Sequence, residues 1–329
     1  MSTTLRNVCT VDEFINVAET NVASLFQDFD FSFLYNYSVF EPTSRGQEKV
    51  FEPPELLQAF LHCYHKEIYG TRPVEREISG GILWKLLGFP RTPSRHVVNK
   101  FLNDLGEVIE DVFEKLVEKA KNHGLLDSVY YIDSTDVKTK PYDTYGSWNY
   151  DRTKDQYYYG YGCTVVTSGD KIPVAAAFTD SKKTSEETAL EVAGKALDIK
   201  DPVAVVGDSE FDMIKFHDTL ISRGVVPVAT YNPRNTSDPL KIDYRVEERV
   251  QKTADNVTLK PRDLDKFSQD RSQVERTIGA CKPCGMAETQ VRTRRNAETQ
   301  VFLSLCLRVL IAITNKKHGE NPGKTKLNT

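Results

Sequence analysis

Up to about Gly124 the apolar residues recur every three to four positions; from Val129 they come in short β-branched and aromatic runs. A chain patterned this way is neither all-helical nor all-β. It builds helices first and a sheet afterwards. VYYIDSTDV (129–137) reads as a strand, and QYYYGYGCTVVTSGDKIPVAAAFTD (156–180) as two more with a turn at Ser168-Gly169-Asp170. TSEETALEVAGKAL (184–197) opens with a Thr-x-x-Glu capping box and predicts a helix. DPVAVVGDS (201–209) is a short apolar run suited to a buried parallel strand. A helix over 211–224 and a strand over 225–232 complete the order β-β-β-α-β-α-β. A three-stranded meander followed by alternating α and β is the ribonuclease-H-like order, an α/β class with a mixed sheet flanked by helices.

The first third predicts only helices, at 11–26, 53–70 and 76–88. A fourth runs from 91 with Thr92 as N-cap and Pro93 at the first helical position, and continues amphipathically to about Gly124. These boundaries divide the chain into an all-α domain at 1–126, a ribonuclease-H-like domain at 127–319 and a disordered tail at 320–329.

Composition excludes several alternatives. With 39% hydrophobic and 27% charged residues over 329 positions, the chain has ample material for a core. VFLSLCLRVLIAI (301–313) is too short to span a bilayer and contains Arg308, so it reads as a core helix. The N-terminus lacks the basic start and apolar run of a signal peptide, which predicts a cytoplasmic protein. Six scattered cysteines do not suggest a disulfide framework, and the CxxC at Cys281 and Cys284 has no second ligand pair for zinc. The formal net charge is −4, yet from Arg271 onward eleven Lys and Arg stand against four Asp and Glu. A basic C-terminal segment on an acidic body suggests a polyanion surface, or else a solvated basic tail.

Three carboxylates carry the chemistry. Asp133 lies inside an apolar strand, where a charge costs several kcal/mol unless it is paired or binds metal. Asp208 sits at the carboxyl end of the fourth strand, where open α/β sheets gather their ligands. Glu275 shares one stripe of a helix with Arg271 and Lys282, four and seven positions away, beside Val274 and Ile278, which could seat that helix on the sheet. Pro283 should stop the helix near Lys282. Taken singly, each has a plainer explanation: a turn aspartate, an N-cap, a surface i,i+4 pair contributing about 0.3–0.5 kcal/mol. Together, in this strand order, they describe a site for phosphoryl transfer on nucleic acid.

Asp133 in IDST, Asp208 in GDSEFD and R-x3-E-x6-K at Arg271, Glu275 and Lys282 resemble the DDE transposases of prokaryotic insertion sequences, of the IS-four and IS-five type. The resemblance covers most of the chain. It departs from the family pattern at Ser268, where the signature has tyrosine, with Phe267 beside it, and at Gly162, where many relatives have lysine. It implies metal-dependent cleavage at transposon ends followed by strand transfer into target DNA. Asp133, Asp208 and Glu275 would hold two Mg2+ or Mn2+ ions, and Arg271, Arg276 and Lys282 would contact phosphates near the cleaved strand. Arg292, Arg294 and Arg295 are further candidates for DNA contact. So are Arg95 and Lys100, at the exposed start of the second helix of a helix-turn-helix-like segment that, with Ser94, His96 and Asn99, would read the inverted repeats. The implied partners are terminal-repeat and target DNA and a second copy of the chain in the synaptic complex, in a cytoplasmic, nucleoid-associated setting with no membrane. A nuclease without strand transfer, or a transposase-derived DNA-binding protein without activity, would share most of these features. Trp148, Tyr150 and Tyr157 to Tyr159 could stack on unpaired bases, although the tyrosine run suits strand core.

Overall fold

The computed structural model describes residues 29–41, 50–81, 83–151, 155–181, 183–229 and 270–327. The expected helix at 11–26, the polar stretch at 235–269 and the Ser268 position lie outside the described residues.

The sheet begins with β1 (Val129–Lys138), β2 (Ser147–Asp151), β3 (Gln156–Ser168) and β4 (Ile172–Thr179). These pair antiparallel: β1 with β3, β2 with the first part of β3, and β4 with its second part. Two parallel strands follow, β5 (Ala204–Gly207) beside β1 and β6 (Val226–Ala229) beside β5. The strands therefore lie in the order β4-β3-β1-β5-β6, the ribonuclease-H-like arrangement expected. The sequence reading missed β2. Its Ser-Trp-Asn-Tyr-Asp pattern alternates, but over five residues only, and the alternating aromatics Trp148 and Tyr150 face solvent rather than a core.

Helices α1 (Pro53–His65), α2 (Thr71–Gly80), α3 (Leu83–Leu86), α4 (Arg95–Leu105) and α5 (Ile109–Asn122) precede the sheet. The single long helix expected from 93 to 124 is two helices. A Cβ on Gly106 would approach Thr299 Oγ1 to 2.7 Å and Arg295 Cγ to 2.9 Å, so the close crossing of the later helix that carries these two residues is what the missing side chain permits. The α4 N-cap is Ser94, whose hydroxyl accepts from the Val97 amide, rather than Thr92.

Later helices are α6 (Glu186–Ile199), α7 (Ile214–Ser222), α8 (Ser272–Cys281) and α9 (Arg294–Lys317). The α6 cap is Ser185, one residue beyond the expected Thr184. Thr184 is instead buried in a hydroxyl triangle with Ser134 and Thr164. That triangle ties the start of α6 to β1 immediately after Asp133.

α9 is long and apolar enough to cross a membrane by length and composition, but it is buried within the protein. It packs on α5, α1, α4 and β4. One hydrophobic cluster accordingly runs from Phe29 to Leu327, and among the described residues there is no seam at 126. Residues 320–327 are not a loose tail. Leu327 is buried, the Pro322 carbonyl accepts from Arg308, and Asn315 donates to the Lys324 carbonyl.

Candidate active site

β1 and β5 run parallel, with Tyr131 beside Val206. Two residues further on come Asp133, in the middle of β1, and Asp208, the residue that follows β5, on neighbouring strands about 4.8 Å apart. Each aspartate commits one oxygen to the backbone. Asp133 Oδ1 accepts from the Ser134 amide at 2.8 Å, and Asp208 Oδ1 accepts from the Glu210 amide at 2.8 Å, capping a short 3-10 turn. That turn folds tightly over Gly207, where a Cβ would lie 2.9 Å from Phe211 Cβ and 3.0 Å from Ile132 Cγ2. Capping therefore leaves the second oxygen of Asp208 uncommitted to the backbone and facing other side chains.

α8 brings the third carboxylate. Val274, Thr277, Ile278 and Cys281 are buried, and their spacing defines the face seated on the sheet. Thr277 Oγ1 meets Thr167 Oγ1 on β3 at 2.9 Å and also donates to the Gln273 carbonyl, which sets the rotation of the helix. The exposed stripe then presents Arg271 and Glu275. Arg271 Nη2 lies 3.4 Å from Glu275 Oε1, and Nη1 lies 3.8 Å from Asp208 Oδ2. The guanidinium thus bridges the second and third carboxylates. Burial pushes the Asp133 carboxyl up to about 6; its own amide contact and Arg271 oppose this, while Asp208 and Glu275 add to it. All four groups therefore share one field.

These oxygens are the hard donors a divalent cation takes, and their crowding favours one. Among the described residues, however, no three carboxylates, His or Cys are closed to ligand spacing. Arg271 supplies the positive charge between Asp208 and Glu275.

The other basic residues do not form one surface with this cluster. α8 ends at Cys281, and Lys282 opens a 3-10 turn containing Pro283, as expected. Lys282 is drawn to buried Asp136, with Nζ 3.5 Å from Oδ1. Residue spacing assigns Asp136 no role. Arg276 turns away from the carboxylates and lines a separate cleft. Arg292 stacks over the Tyr142 ring, 5.4 Å from its centroid. Arg294 binds Asp180 and the Phe178 carbonyl, and Arg295 binds Glu107, so these two seat α9. Arg95 is exposed at the start of α4, and Lys100 pairs with Asp104 at 2.6 Å.

The tyrosine run is not all core. Tyr158 is buried, but Tyr157 is 72% exposed. Trp148 faces Tyr159, and Tyr150 faces Tyr157, across the β2–β3 pair. The result is an aromatic ladder of the kind on which bases stack.

Residues 124–310 match the family model described as Transposase DDE domain. The chain is 50% identical over 320 residues to a protein of Halobacterium salinarum named as a probable transposase for insertion sequence element ISH11, with 97% of each chain covered; the same relative occurs in two strains. Among solved structures, the Drosophila P element transposase strand transfer complex aligns with a TM-score of 0.32 at 15% identity, covering 89% of this chain and 71% of that one. The Mos1 strand transfer complex aligns with a TM-score of 0.22 at 15% identity, covering 73% and 81%. Neither likeness is close enough to place a residue.

Proposed function

The chain belongs to the DDE transposase family of insertion sequences, and from that premise we propose that Asp133, Asp208 and Glu275 are its catalytic carboxylates. The family cleaves DNA and transfers strands with divalent metal. The observation that carries the assignment is that Asp133 on β1 and Asp208 just past neighbouring β5 each follow the Tyr131–Val206 pair by two residues, with Arg271 joining Asp208 to Glu275.

Asp133, Asp208 and Glu275 would hold two ions, Mg2+ or Mn2+. When bound, such cations activate the attacking oxygen and stabilise the leaving oxygen of the scissile phosphate. The protein's own residues do the rest. Asp133 is held by the Ser134 amide, so its second oxygen keeps a fixed direction. The β1–α6 hydroxyl triangle ties the residue after Asp133 to β3 and to the start of α6. Arg271 offsets part of the charge of Asp208 and Glu275 in the free chain and can turn its fork of donors to phosphate oxygens in the complex. Exposed Arg95 and Lys100 on α4 suit contact with the terminal repeats, and the helical region at 1–126 is proposed as the repeat-reading and dimerising part of a homodimer working on nucleoid DNA.

The test uses DNA carrying the element's own terminal repeats. With Mg2+ or Mn2+, the protein should generate 3′-hydroxyl ends and joined products. Glu275→Gln should bind the same DNA and lose both products. Undiminished cleavage by that variant would refute the assignment, and nicks without joined products would favour a nuclease.

A further inference from the structure

On the side of α8 away from Glu275 lies a cleft of about 600 Å3 between the β3–β4 turn and residues 321–326. Its cations are Lys171, Arg276, Lys324 and Lys326, and Asp170 is its one lining carboxylate. Lys324 is paired with Glu320 at 2.5 Å. Among the described residues no ion pair engages Lys171, Arg276 or Lys326.

Two features show that this charge is built in. The turn at Asp170 and Lys171 has φ of 55° and 60°, the left-handed region that glycine favours, yet it carries a lysine. Beneath the cleft, Arg308 is only 3% exposed. Its Nη2 donates to the Asp170 carbonyl at 2.8 Å and the Pro322 carbonyl at 2.6 Å, so it pins both walls. Its Nε and Nη1 have no hydrogen-bond partner. Among the described residues no carboxylate forms an ion pair with this buried guanidinium, and Asp170 offsets it only at longer range, so it adds positive potential to a cleft already rich in cations that an anion there would offset.

We propose that this cleft is a second DNA-binding site, in which Lys171, Arg276 and Lys326 grip backbone phosphates of a duplex. The proposal rests on the reading of this chain as a DNA-acting enzyme and adds a contact surface separate from the carboxylate cluster. The cleft and the cluster share α8, with Arg276 next to Glu275 in sequence, so a duplex held in the cleft lies beside the catalytic face. The tail beyond α9 is then a wall of the binding site.

The test is equilibrium binding of a duplex over a range of salt in EDTA, with the full chain and with the combined variant Lys171→Gln, Arg276→Gln, Lys326→Gln. Each lost phosphate contact lowers the log–log salt slope by about 0.9, so the slope should shrink by roughly 2–3. An unchanged slope in a variant that melts normally would overturn the proposal. Lys171→Gly alone should raise the melting temperature by relieving the turn and still weaken duplex binding; a merely structural lysine would leave binding unchanged. A third arm adds inorganic phosphate alone. If phosphate raises the melting temperature while the duplex slope is the same in both proteins, the cleft takes free phosphate and the DNA assignment falls. Metal-dependent cleavage scores the catalytic assignment separately, so either can fail without the other.

Discussion

Burial lifts the Asp133 carboxyl from 3.8 to about 6, while its amide contact and Arg271 hold it back. A carboxyl whose folded value lies above its unfolded value binds its proton more tightly in the fold. Stability therefore falls as pH rises from about 4 through about 6, by up to about 3 kcal/mol from this group. Denaturation in EDTA should show the wild type losing stability relative to Asp133→Asn over that window; parallel curves would contradict the burial argument. Asp133 was legible in the sequence because a carboxylate inside an apolar strand needs a reason to be there. Arg276 was not legible in the same way. Helical spacing shows that it stands beside Glu275, but only the Thr277–Thr167 contact sets which way each of them faces. Arg294 and Arg295 stand in the sequence as candidates for DNA contact, and their partners Asp180 and Glu107 are too distant in sequence for spacing to reveal.

At the level of elements, local chemistry located the helices better than it located their ends. Ser185 and Thr184 show why. Both can cap, but the hydroxyl triangle with Ser134 and Thr164 takes Thr184, leaving the cap to Ser185. Ser185→Ala should cost about 1 kcal/mol by chemical denaturation. Thr184→Val should cost about 1–3 kcal/mol, because it leaves buried hydroxyls on Ser134 and Thr164 short of a partner. The reverse order would put the cap back at Thr184. The break at Gly106 was invisible for a related reason. Its φ of −62° is ordinary, and what forbids a side chain is the crossing of α9, a tertiary fact. β2 escaped notice because its alternation spans only five residues and puts its aromatics on an exposed face.

For the whole molecule, the change of periodicity at Val129 carried most of the fold, since strand order follows from element order under short connections. It did not show that α9 would pack on both the early helices and β4, making one core of the expected parts. Nor did a polar composition reveal that residues 320–327 would pack down. Truncation after His318 removes the Leu327 burial and the Pro322 acceptor of Arg308, and should cost about 3 kcal/mol. A truncated chain as stable as the full one would show those contacts to be idle. The central claim, that three carboxylates from β1, the end of β5 and α8 form one cation site, is tested most directly by Mn2+ titration of the DNA-bound protein, followed by electron paramagnetic resonance. Asp133→Asn, Asp208→Asn and Glu275→Gln should each weaken Mn2+ binding at least about tenfold, the scale of roughly 1.4 kcal/mol per lost ligand. Wild-type Mn2+ affinity in any of the three would contradict it.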